Sequence, residues 1–317
     1  MEKYVDVLKN DQLLLYKMLY LSVLDKHQEV IEIYQSNIKS TKKYSKKWIN
    51  LNLIVLNCYI EKNRKDLCLK IHKELSETPN LKNYAEYPYF LRLSNIYLPY
   101  KKALKNAKKS IKIFAKNGDI EQEGKSLITY SKLLSSLGKN RRAINNIIKA
   151  KDKLSNSHIG YACIYNNLAG YLLLNGKSGP EIWNYLDFAE QYSITVYDKL
   201  SVIINKLAWC IENKSFDRID LLENKAKKYI EKEPSKLIHC TTYYNLYIVM
   251  KKNHNNKKAN EYYDKFYSLK EFCPYIQARF SGLNSQNRYL KHRISKPYHI
   301  CYLSFWTYDL DWDKSSS

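Results

Sequence analysis

The 317 residues carry 53 basic against 31 acidic side chains, a formal charge of +22, with only 8 Gly and 7 Pro. A hydrophobic content of 45% suffices for a core, while a mean hydropathy of −0.54 and the lack of a long unbroken apolar run exclude an integral membrane protein. Seven cysteines at irregular separations, with no C-x-x-C, read as reduced thiols of a cytoplasmic protein, and the opening MEKYVDVLKND lacks the apolar stretch of a secretory signal.

From residue 10 onward, apolar and small residues recur at helical spacing, and polar turns cut the pattern into pairs of helices. Seven hairpins are predicted, at 10–39, 44–77, 84–116, 119–155, 158–193, 196–232 and 235–270. The fourth is clearest: Leu127, Tyr130 and Leu134 write one helix face, Gly138 marks the turn, and Ala143, Ile147 and Ala150 write the next. Equivalent second-helix anchors fall at Val30, Cys68, Ala103, Ala143, Ile182, Ile219 and Ala259, a period near 38 residues that signals stacked helix-turn-helix units. Proline placement agrees, because Pro in a helix interior removes a hydrogen bond and clashes with the preceding turn. Pro79 and Pro234 lie between units, Pro99 and Pro180 in turns, and Pro88 in a first turn; Gly170 alone among the glycines and prolines of the array sits in a predicted helix interior.

The pattern resembles tetratricopeptide (TPR) repeats, carried best by Tyr165, Leu168, Ala169, Leu172 and Gly176 in the fifth unit and by the stretch from Leu24 to Tyr34 in the first. The resemblance covers residues 10–270 and departs in period, since the family's unit is about 34 residues. It implies an all-α, right-handed superhelical solenoid of about seven hairpins, with residues 1–270 as the array. Residues 271–317 are the other domain: 272–291 reads as one or two helices, and 299–308 as an extended aromatic segment that is either a C-terminal cap over the last hairpin or a docking strand.

Motifs for chemistry fail on spacing. Gly170 and Gly176-Lys177-Ser178 have five residues between the glycines where a phosphate loop needs four, and they follow helical rather than strand spacing. Asp309, Asp311 and Asp313 open like a calcium loop but lack its glycine and distal glutamate, and His239 beside Cys240 lacks further ligands at zinc spacing. No enzyme, cofactor or metal is therefore expected.

Two binding readings follow. The family resemblance implies that first helices line a concave groove, which selects Arg92, Thr129, Lys132, Asn166, Asn167, Asn205, Lys206, Trp209 and Asn245 as contacts for a protein or peptide. An amide donates and accepts together, as a peptide backbone requires, and lysine suits a carboxylate. This points to a non-catalytic scaffold or sensor, a regulatory or adaptor subunit of a larger bacterial assembly, alone or as an oligomer. In the alternative, lysine-rich surfaces bind RNA or DNA, as in an antiviral defence complex. Lys101, Lys105, Lys108 and Lys112 share one helical face, and Arg288, Lys291 and Arg293 form a C-terminal cluster. Arginine is scarce, 8 residues against 45 lysines, which weighs against base-edge readout.

Overall fold

The computed structural model describes residues 10–272, apart from Asp25, 62–63, 94–97, 155–157 and Pro234. The predicted cap and the cluster of Arg288, Lys291 and Arg293 lie outside the described residues. Within them the chain is all-helical, with fourteen α-helices and no strand. These are α1 (Asn10–Val23), α2 (His27–Ile38), α3 (Lys46–Glu61), α4 (Lys65–Ser76), α5 (Tyr87–Leu93), α6 (Tyr100–Lys116) and α7 (Ile120–Ser136). They continue with α8 (Asn140–Lys153), α9 (His158–Leu174), α10 (Pro180–Tyr192), α11 (Val196–Asn213), α12 (Ile219–Ile230), α13 (Lys236–Lys252) and α14 (Asn256–Ser268). The fourteen fall two by two into the seven predicted spans. None of the described helices is long and apolar enough to cross a membrane.

The helices divide after Asp119 into two compact units, α1–α6 and α7–α14. In the first, α3 packs between α2 and α4 and also meets α1 and α5. Its core gathers Met18, Val30, Ile49, Leu53, Leu56, Leu75 and Phe114, all 2% exposed or less. In the second, each first helix lies on its own second helix and on the next first helix, so that α7 meets α9, α9 meets α11 and α11 meets α13. The seven anchors that set the sequence period are all buried, from Val30 at 0% to Ala259 at 2%. Full burial of a Val- or Ile-sized side chain contributes about 1.5–3 kcal/mol, so the repeat is a repeat of core positions.

Turn chemistry explains where the helices stop. At the end of α7, Gly138 takes φ +73°, its N–H donates to Ser135, and the Lys139 N–H reaches back to Leu134. This is the left-handed closure that glycine adopts without a Cβ clash. Pro180 opens α10 where its missing N–H costs nothing, and the Thr195 hydroxyl caps α11 by accepting from the Asp198 N–H.

The period also appears in side-chain bonds between neighbouring hairpins. The Tyr84 hydroxyl donates to the Tyr44 carbonyl 40 residues away, Ser131 pairs with Tyr171 at the same separation, and Asn205 donates to Asn166 across 39. Lys258 reaches Asp220 across 38, and Tyr262 reaches Glu223 across 39. Equivalent positions one repeat apart are thus side by side. Packing is tight at the hairpin of α7 and α8, where a Cβ on Gly124 would stand 2.6 Å from the Leu154 Cγ. Gly124→Ala is expected to lower stability by about 1–3 kcal/mol through overpacking; an unchanged urea midpoint would contradict that close approach.

Candidate binding surfaces

Seven of the nine inner first-helix candidates are buried: Arg92, Lys132, Asn166, Asn167, Asn205, Lys206 and Asn245. Thr129 and Trp209 are partly exposed. The structure brings Asn166, Asn205, Lys206 and Trp209 together around α9, α10 and α11. The Asn205 amide donates to the backbone oxygen of Asn166 at 3.2 Å and to its Oδ1 at 2.7 Å. Gly170 lines this contact: a Cβ there would sit 3.4 Å from Asn205 Oδ1, in ordinary van der Waals contact. Three of the other candidates bond within their own helices. Asn167 donates to Cys163 Sγ, Asn245 to the Thr241 carbonyl and Thr129 to the Lys125 carbonyl, while Arg92, in the first unit, lies 6.0 Å from the Tyr89 ring.

Lys206, itself buried, is the centre of a charged assembly. Its ammonium donates to Asp187 Oδ1 at 2.6 Å and Glu190 Oε2 at 2.5 Å, and lies 5.0 Å from the centre of the Trp183 ring. The Arg218 guanidinium stands 4.4 Å from the same ring. Trp183 meets Trp209 edge-on at 5.0 Å, and the Trp209 indole donates to the Gly179 carbonyl. Lys225 closes on the other Glu190 oxygen at 2.6 Å. Burial pushes the Glu190 carboxyl up, but hydrogen bonds from Lys206 and Lys225 outweigh it and hold the group below its usual range. Burial pushes the neighbouring Cys210 thiol up to about 12, which leaves no thiolate for nucleophilic chemistry near neutral pH.

The arrangement recurs one hairpin later. Glu223, 2% exposed, accepts from Lys227 and from the Tyr262 hydroxyl on Oε1 and from Lys258 on Oε2, at 2.6–2.7 Å. Its carboxyl is pushed up by burial and pulled down further by these three donors, to about 2. Glu190 with Lys225 and Glu223 with Lys258 are the same 35-residue reach, made by α12 onto α10 and by α14 onto α12.

The lysines of α6 share one side of the helix. Lys101, Lys105, Lys108 and Lys112 are exposed, while Ala103, Ala107, Ser110 and Phe114 on the other side are buried. None of the four is ion-paired among the described residues.

A surface that the sequence reading passed over lies on the fifth hairpin. Tyr161 and Tyr165 of α9 and Tyr185, Phe188 and Tyr192 of α10 form one cluster of rings. Tyr165 stacks on Tyr185 at 5.8 Å and meets Phe188 at 5.5 Å, and Tyr161 meets Tyr192 at 5.4 Å. Phe188 is 47% exposed, the four tyrosines are partly exposed, and Ile194, two residues beyond α10, is 66% exposed. The signal was available: Ile182, Leu186 and Ala189 supply the fully buried face of α10, and Tyr185, Phe188 and Tyr192 make a second, aromatic stripe beside it. A scan against protein-family models gives no match, and no curated protein matches the chain significantly.

Proposed function

We propose that this chain is a non-catalytic scaffold or sensor, a cytoplasmic TPR-like solenoid that binds a protein or peptide and acts as a regulatory or adaptor subunit of a larger assembly. The observation that supports it most is the ring cluster of Tyr161, Tyr165, Tyr185, Phe188 and Tyr192. Aromatic side chains carry large contact area with few rotors, and they concentrate where protein interfaces draw their binding energy. A soluble chain exposes such a group at a cost, which a partner relieves by covering it. On this proposal the rings make the first contact with the partner. The Asn166–Asn205 pair and Lys206, being committed to bonds between neighbouring hairpins, hold the spacing of the hairpins that present them.

The double variant Tyr165→Ser and Phe188→Ser tests the assignment. Both side chains are partly exposed, so the fold should survive, while a partner anchored on the rings loses at least about tenfold in affinity, the effect of roughly 1.4 kcal/mol. The measurement is co-purification of the tagged full chain from its native host, wild type against variant. A variant that retains the same partner at the same yield would contradict the ring surface.

A further inference from the structure

Five lysines on the second helices α8, α12 and α14 are matched by acids. Lys153 meets Glu123, Lys225 meets Glu190, Lys227 and Lys258 meet Glu223, and Lys265 meets Glu261. Helix α6 carries seven lysines and no acid in its 17 residues. Lys101, Lys105, Lys108 and Lys112 form one exposed row without an ion pair among the described residues, and Lys109 beside them donates to the Tyr87 hydroxyl at 2.9 Å. Like charges three and four residues apart on a helix repel, and lysine in the first turn opposes the helix dipole. The unliganded helix is therefore electrostatically disfavoured in a way that an aligned row of negative charge would relieve.

We propose that this face of α6 is a binding strip for the backbone of a nucleic acid, recognised as a row of phosphates without readout of base sequence. The four ammonium groups rise along one face at about 5.5 Å per charge, given 1.5 Å per residue, so successive lysines meet successive backbone charges. Lysine acts on phosphate as a point charge, whereas the bidentate fork that reads guanine belongs to arginine, and α6 has none. Two other anionic partners fit the face less well. A membrane-surface helix inserts its apolar side among lipids, but the apolar side of α6 is already committed: Ala103, Ala107 and Phe114 are 2% exposed or less. A protein interface draws on clustered, well-exposed apolar anchors, whereas the large apolar residues of α6 (Tyr100, Leu104, Ile111 and Ile113) are only partly exposed and the fully exposed positions of the row are lysines. The strip is separate from the ring cluster on α9 and α10, so either assignment stands or falls without the other.

The experiment measures anisotropy of a labelled oligothymidylate of about twenty nucleotides, titrated with the full chain at salt from about 50 to 200 mM. Two charge-matched variants are compared with wild type. One changes Lys101, Lys105, Lys108 and Lys112 to Gln; the other changes Lys228, Lys232, Lys252 and Lys257, which are equally exposed. Loss of four phosphate contacts on a single strand should flatten the plot of log K against log salt by about 3 for the α6 variant, with the control near wild type. Should the quadruple α6 variant fold poorly by circular dichroism, Lys105→Gln with Lys108→Gln is expected to remove about half of that slope. Equal flattening in both quadruple variants would overturn the strip, as would absence of oligonucleotide binding by wild type at about 50 mM salt. Polyglutamate of matched length binding as tightly as the oligonucleotide would overturn the nucleic-acid assignment.

Discussion

Glu223→Ala is expected to cost about 3 kcal/mol of folding stability, the low end for losing one partner of a buried pair, because it removes the buried carboxylate that Lys227, Lys258 and Tyr262 share while both lysines keep access to water. Glu223 binds Lys227 on its own helix and Lys258 and Tyr262 on α14, so one carboxylate ties the sixth hairpin to the seventh. Its loss strands the Tyr262 hydroxyl of a residue with no solvent exposure and takes the counter-charge from Lys227, while Lys258 keeps Asp220. The same carboxylate makes stability sensitive to acid. Its folded value of about 2 lies below the ordinary 4.5, so the folded state binds this proton less readily than the unfolded chain. The contribution is therefore fully present above about pH 4.5 and is lost as pH falls toward 2, up to about 3 kcal/mol in all. Glu190, also held low, adds loss in the same direction. Urea midpoints of wild type and Glu223→Ala at neutral pH and near pH 3 measure both effects: the gap between the two proteins should narrow in acid. A gap that stays constant with pH would contradict the role given to this carboxylate.

Lys206→Glu is expected to cost more than about 4 kcal/mol, since it replaces a buried cation by an anion beside two carboxylates. The side chain is 4% exposed, and its partners Asp187 and Glu190 stand within 2.6 Å of the ammonium. Reversal also removes the cation from the Trp183 ring, where Arg218 is the other positive group. Lys206→Met should be far milder: the stem still packs against Trp183, Glu190 keeps Lys225, and Asp187, 54% exposed, turns to water. Thermal unfolding of the two variants separates charge from packing, and equal losses would contradict the charged account. Charge reversal at Lys206 is consequently a test of folding before it is a test of binding, whereas the ring cluster and the α6 lysines lie at the surface.

The helical hairpins were legible because burial, turn chemistry and proline placement all repeat with the chain. Every second-helix anchor from Val30 to Ala259 is buried, and Gly138 and Pro180 stand where their backbone preferences require. The fate of the inner polar residues was not legible. Asn166, Asn205 and Lys206 occupy positions that an exposed groove would need, but whether a polar side chain faces solvent or a neighbour depends on how closely adjacent first helices approach. At α9 and α11 they approach closely enough for Asn205 to reach Asn166, a contact that no spacing in the sequence specifies. The repeated Glu190–Lys225 and Glu223–Lys258 pairs carried a readable signal, since both glutamates and both lysines recur at 33 residues, shorter than the period of the apolar anchors. Charged pairs reach across helices along a different line from the core stripe, so a search tuned to the apolar repeat passes over them.

The most direct test of the central proposal is a native mass spectrum of the full chain purified gently from its native host, recorded as salt is raised. A defined protein or peptide that stays bound at high salt is the predicted result, because burial of rings such as Phe188 and Tyr165 is not screened by ions. A chain that carries no protein or peptide at any salt, and only heterogeneous nucleic acid that leaves as salt rises, would contradict the scaffold assignment.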